Sequence, residues 1–429
     1  MSINNNFDNY LSNEVKLFGL PAEKGRWLLI PLGMIVLLCL GTAYSWSIFR
    51  NTIEKSLQVG AIESLLPFTI WLVVLSILMP ITGFYLEKIG SRLVTTVGAI
   101  VMGMGYIASG FVNSIPLLII TYGIIAGAGV GMVYGVPLAV NAKWFPDKKG
   151  LAVGVTVIGF GLSPLVTAPL ARNLIAVNGD KGWQPTLIIF GIAFTLILLA
   201  IAPVMKYPPT DWQPAGWKPP MQQNNFNNDS NPPLLKSLNF YGLWLCFTIG
   251  TFGGLAAIGI ASPVGIEIIG LDKNTAASAV SLFAVFNGLG RPLFGWISDR
   301  FQPKNAAIVS YVLIMIASII MLSATKGAIA TYIVAFSLIY LAFGGWMAIG
   351  PTSTLILFRS QDYAQNYGIV FTAFGMGALL GTVIAGNIRD IFGNYLPFFL
   401  ITIGLSILGI ILAVFLLKPS IKKSQLNLT

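Results

Sequence analysis

Arg291 and Asn287 stand four residues apart in 276–297, AASAVSLFAVFNGLGRPLFGWI, a run with no other charge and long enough to cross a bilayer. At that spacing the two side chains share one face of a helix. A guanidinium keeps its proton at any working pH, and placing one near the middle of a spanning helix costs ~2.5–3.5 kcal/mol. Arg291 falls ~7 Å from the middle of the run, five residues at ~1.5 Å each. Snorkelling to the interface from that depth would bypass two turns of apolar side chains. With no acid nearby, the counter-ion must come from solution. A carboxylate fits the planar guanidinium fork, so the chemistry this pair offers is reversible anion binding.

A second group of residues could enclose such an anion. Tyr44, Trp46, Tyr134, Phe160, Phe343, Trp346, Phe371 and Phe374 all lie within apolar runs. Together they suggest a dry cage for a small planar anion, with tyrosine hydroxyls as donors. Aromatic stripes otherwise serve packing or interfacial belts, and Tyr134 and Phe371, beside glycines in mid-span, are the stronger candidates for lining. The chain has no histidine, which excludes histidine triads, HExxH zinc sites and histidine proton relays. The apolar runs also lack Asp and Glu, so no enzyme, metal or cofactor chemistry is expected. Cys39 and Cys246 fall inside apolar runs and read as small buried hydrophobes. The glycine-rich stretches 126–135, 154–161 and 375–381 follow no strand and precede no lysine at phosphate-loop spacing. They fit close helix packing, as for Gly377 and Gly381.

The elements that must position these residues follow from composition. Of the 429 residues, 55% are hydrophobic and only 9% charged, far from a soluble globular chain. Twelve apolar runs are long enough to span: 27–49, 64–86, 93–111, 115–142, 151–171, 183–204, 238–266, 275–297, 305–325, 328–358, 364–388 and 393–417. Segments of that length satisfy their backbone in lipid only as helices, so an all-α integral membrane fold of two pseudo-symmetric six-helix bundles is expected. With both termini inside, inner segments hold 17 Lys and Arg and outer loops 7. The net charge of +10 is then topology, and no nucleic acid is expected as a partner. A polar, Asn-rich tail (1–26) precedes the first bundle (27–204) without a cleavable signal. A Pro- and Asn-rich linker (205–236) joins it to the second (237–417), and a short tail (418–429) ends the chain. Pro137 and Pro351, in the fourth and tenth runs, are expected to kink equivalent helices.

An internal repeat supports the two-bundle reading. Gly83, Glu87, Lys88 and Arg92 stand at the end of the second run, and Gly295, Asp299, Arg300 and Lys304 at the end of the eighth, at a constant offset of 212 residues. Twelve spans with this spacing resemble the major facilitator superfamily. The resemblance implies a latch of Gly83, Glu87, Arg92, Asp299 and Arg300, with a closely packed glycine and salt bridges that break as the halves rock. A narrower resemblance rests on GTAYSWS at 41–47, FPDKKGLAVG at 145–154 and FNGLGRP at 286–292. These are similar to the oxalate–formate antiporter family, relatives of the monocarboxylate transporters. In that family the arginine at position 291 binds the substrate carboxylate. The oxalate carriers add a lysine where this chain has Phe374, and monocarboxylate transporters often have an acid where it has Asn287. The resemblance therefore implies alternating-access exchange of small carboxylate monoanions, such as formate, lactate or pyruvate, in preference to oxalate. A proton-linked symporter or a carrier of another small metabolite is the alternative, with Glu267 as the proton site. A monomer in the cell (inner or plasma) membrane is expected, partnered by lipid and a small carboxylate.

Overall fold

The structure, a computed structural model, describes residues 15–209, 212–217, 234–358 and 363–417. Most of the expected N-terminal tail, the tail 418–429 and linker residues 210–211 and 218–233 lie outside the described residues. Among the described residues there are twelve helices long and apolar enough to span a membrane. In the first half these are α1 (Ala22–Leu57), α2 (Ala61–Ile89), α3 (Ser91–Ser109), α4 (Ile115–Trp144), α5 (Lys149–Lys181) and α6 (Trp183–Val204). The second half has α7 (Leu238–Ile269), α8 (Lys273–Phe301), α9 (Pro303–Leu322), α10 (Ile329–Leu357), α11 (Gln365–Phe392) and α12 (Leu396–Leu416). One exception to the all-α expectation is a two-strand ladder, Lys16–Leu17 against Leu20–Pro21.

Each helix follows its apolar run, falling short of it by at most three residues at either end, and several continue past it. Lipid thickness sets the length of the apolar run, whereas backbone hydrogen bonding carries a helix on through the polar interface. Thus α1 reaches Leu57, eight residues beyond the run that ends at 49. Arg50 and Glu54, expected in an outer loop or at its edge, are consequently helical.

Packing within the halves repeats with a shift of six helices. In the first half α1 packs on α5, α2 on α4, and α3 on both α4 and α6. In the second, α7 packs on α11, α8 on α10, and α9 on both α10 and α12. The halves meet along α2 with α11, α5 with α8 and α1 with α7. An even number of crossings puts residues 15 and 417 at the same end of the bundle, called here the terminal end.

The linker departs from expectation. Its composition argued against any packing, yet its opening residues dock on the first half. Trp212 packs on Trp144 at 4.7 Å between ring centroids, the Arg26 guanidinium lies 5.8 Å from the Trp212 ring, and Ala215 N–H donates to Glu23 at 2.6 Å. Two tryptophans and one arginine supply that small core.

Candidate functional site

Arg291 and Asn287 sit on the face of α8 that meets α5, so they occupy the seam between the halves. Both are buried, at 4% and 0% exposure. Arg291 Nη1 donates to the Val157 carbonyl of α5 at 2.6 Å. Among the described residues its Nε and Nη2, and both amide atoms of Asn287, have no hydrogen-bond partner. Gly161, one turn beyond Val157, makes this approach possible. A Cβ there would lie 2.7 Å from Asn287 Oδ1 and 3.2 and 3.3 Å from Arg291 Nε and Nη2. The glycine therefore serves close approach to two polar side chains, beyond the helix packing expected of its run.

Six of the eight expected aromatic residues form a closed circuit around this level. Tyr44 meets Phe160 at 5.0 Å, Phe160 meets Tyr134 at 5.2 Å, and Tyr134 meets Phe371 at 6.4 Å. Phe371 stacks on Phe374 at 5.0 Å, Phe374 faces Phe343 at 6.4 Å, and Phe343 returns to Tyr44 at 5.8 Å. Three rings belong to each half. Local backbone explains the placement of Tyr44. Over Gly41–Ser45 α1 tightens to a 3₁₀ helix, and a Cβ on Gly41 would strike the Phe160 carbonyl at 2.4 Å. Only glycine lets α1 approach α5 so closely.

The structure does not bring Trp46 or Trp346 into the circuit. Trp46 packs on Tyr122 at 4.4 Å and donates from Nε1 to the Ser64 carbonyl. Two positions turn ~200° about the axis of an α-helix and ~240° in a 3₁₀ turn, so Tyr44 and Trp46 face different ways. Trp346 packs on Tyr311 and Phe247, and Phe247 in turn contacts Phe371.

The latch residues are equally dispersed in this conformer. Glu87 pairs with Lys143 of its own half at 2.6 Å. Arg300 lies over the rings of Trp296 and Phe301, while Arg92 and Asp299 make no ion pair among the described residues. A Cβ on Gly83 would meet nothing within 4 Å, so the expected close packing of this glycine is absent.

Sequence reasoning missed the residues that bind the halves together at the end opposite the termini. Arg50 is 0% exposed and fully bonded. It donates to Ser64 Oγ, Glu54 and the Ala61 carbonyl of its own half, and to the Gly259 carbonyl and Tyr395 hydroxyl of the other. Asp390 of α11 accepts from the Ala61 and Ile62 amides at 2.9 Å each, which caps α2 from across the seam. Thr69 and Thr382 share a further cross-seam bond. The one available signal was Arg50 four residues before Glu54, the spacing of a helical ion pair. Glu267 is not free here: it accepts from Arg389 at 2.6 Å within the second half.

Twelve spanning helices in two like-packed halves, with a buried cation on their seam that has no acid partner among the described residues, have the architecture of a multi-pass membrane transporter. The chain belongs to the major facilitator superfamily, whose family model matches residues 32–360 and again 243–428. It is 30% identical to the oxalate:formate antiporter of Oxalobacter formigenes over 91% of both chains. It is 23% identical to monocarboxylate transporter 12 of Xenopus laevis over 75% of this chain and 73% of that one. A bacterial homologue of the human lysosomal transporter Spinster has the same fold, with a TM-score of 0.66, 15% identity and coverage of 92% and 95%.

Proposed function

We propose that this transporter exchanges small carboxylate monoanions by alternating access, with Arg291 as the substrate's counter-ion. One observation carries the reading: a buried guanidinium on the seam that, among the described residues, is bonded to a single neutral carbonyl and has two nitrogens unpartnered. A buried charge without its opposite is costly, and a carboxylate supplies that opposite with bidentate geometry. Similarity to an oxalate:formate antiporter and to a monocarboxylate transporter supports a small organic anion. Formate, lactate and pyruvate are favoured over oxalate. Phe374 stacks on Phe371 where a dianion would need a second cation. Asn287 joins Arg291 in the site, the aromatic circuit excludes water, and the Arg50 and Asp390 clasp opens as the latch at the terminal end closes. The termini are cytoplasmic and the carrier is a monomer in the cell membrane.

Counterflow in proteoliposomes with labelled formate, lactate, pyruvate and oxalate tests this. Arg291→Gln should abolish uptake of all four without loss of folded protein, and Arg291→Lys should retain part of it, because an ammonium lacks the fork. Near-normal uptake by Arg291→Gln would refute the reading.

A further inference from the structure

Two cations at the terminal end are matched in the two halves and held by no acid. Lys88 of α2 and Arg300 of α8 are exposed and make no ion pair among the described residues. Each ends a stripe of apolar residues on its own helix: Ile77, Ile81 and Phe84 in α2, and Leu289, Leu293 and Trp296 in α8, all between 41% and 55% exposed. The two stripes, cations included, correspond position by position at the repeat offset of 212 residues. Steps of four, three and four residues keep a stripe on one face of a helix. Helix α2 packs chiefly on α4 and α11, and α8 on α10 and α5, which leaves this face of each to the bilayer.

Exposed apolar residues are ordinary on a spanning helix, and Lys or Arg near its end is ordinary topology. Neither accounts for a cation in line with the stripe in both halves. From Ile77 to Lys88, as from Leu289 to Arg300, eleven steps rise ~16–17 Å, close to the ~15 Å of a single leaflet's hydrocarbon. An acyl chain lying along the stripe from the middle of the bilayer brings its phosphate level with the cation. Beside Lys88 there is room for it: Ile81, Phe84, Tyr85 and Lys88 line an open cavity of about 380 Å³. In α8 the Arg300 guanidinium stays against its stripe, 5.8 Å from the Trp296 ring and 5.7 Å from that of Phe301, and a phosphate fits its fork. Neither stripe offers a carboxylate to the ammonium of a zwitterionic headgroup. Glu87 is held by Lys143, and adjacent positions such as Asp299 and Arg300 do not share a helix face.

We propose that the stripes are two equivalent seats for anionic phospholipids of the leaflet at the terminal end, each taking an acyl chain along α2 or α8 and the phosphate on Lys88 or Arg300. Lipid seated there lies outside the substrate site, and its binding does not depend on which anion is carried.

Native mass spectrometry of the full chain in detergent, titrated with phosphatidylglycerol or phosphatidylcholine, would count the lipids retained. Wild type should hold a pair of phosphatidylglycerol molecules more tightly than any further ones, and should show no such pair with phosphatidylcholine. Lys88→Gln and Arg300→Gln should each weaken one member of the pair by ~5-fold, the worth of one cation near a lipid surface, and the double variant should weaken both. Lys236→Gln removes an exposed cation at the same end but off both stripes, and should leave the pair unchanged. Equal retention of the two lipids by wild type overturns the proposal without any variant having to fold. So does a loss as large in Lys236→Gln as in Lys88→Gln or Arg300→Gln, since the basic residues would then act only as diffuse surface charge. Undiminished binding in the double variant overturns it too.

Discussion

Among the described residues Arg291 has one bonded nitrogen on one edge and two unbonded nitrogens on the other, and Gly161 decides whether that second edge is reachable. Adding a methyl there would press on the Asn287 oxygen at 2.7 Å and on the guanidinium. Gly161→Ala should therefore raise KM for every transported anion by ~10-fold, or ~1.4 kcal/mol of lost binding, with a smaller change in kcat. Initial-rate kinetics in proteoliposomes would separate the two parameters. Phe374→Lys is the converse change, giving the seam a second cation beside Phe371. It should shift competition by unlabelled oxalate from weak to strong, and an unchanged oxalate inhibition constant would count against Phe374 as the selectivity residue. Arg291 was legible in the sequence because a lone charge in a run of apolar residues has no cheap alternative explanation. Trp46 shows the opposite: composition put it beside Tyr44, and helical periodicity, available from the same residues, turns it away.

At the scale of elements, α2 begins on a carboxylate from the other half of the molecule. Removing it by Asp390→Ala deletes two bonds to the Ala61 and Ile62 amides, worth ~1–2 kcal/mol as a helix cap. The halves should then part more readily at that end. Spin labels on Gln58 and Asn394 would report a longer-distance population enriched ~5–30-fold, and an unaltered distance distribution would remove Asp390 from the clasp. The capping Asp272 at the start of α8 makes no such cross-seam bond. Hydrogen bonds from the Thr275 hydroxyl and the Thr275 and Asn274 amides hold its carboxyl below the ordinary value. Its stabilisation is complete above the ordinary pKa of ~3.9 and fades only as pH falls through the lowered one. The extent of the twelve helices was largely readable, since hydropathy and backbone satisfaction in lipid leave few choices. The clasp was not, because Arg50 finds Gly259 and Tyr395 at separations of 209 and 345 residues. No local pattern encodes which residues meet across a seam.

Taken whole, the molecule is two three-ring arcs that touch at Tyr44 with Phe343 and at Tyr134 with Phe371. In the proposed alternating access, rocking would break those two aromatic contacts, each worth ~0.5–1.5 kcal/mol beyond area burial, while the arcs move intact. With no histidine in the chain and arginine always charged, exchange should be flat between pH ~6 and ~8, where neither arginine nor an ordinary carboxylate titrates. Uptake into vesicles preloaded with substrate would check it. Uptake into empty vesicles that rises with an inward pH gradient and is lost in Glu267→Gln would instead make Glu267 a proton site. The lone bond from Arg291 to a neutral carbonyl also has an electrical meaning. Loaded with a monoanion the site carries no net charge, so one-for-one exchange should ignore the membrane potential. Unloaded, the same site is a fixed positive charge past which the field is swept whenever access alternates. That step should feel up to ~2.3 kcal/mol per 100 mV, which makes the empty carrier, and not the substrate, the part of the cycle that senses voltage.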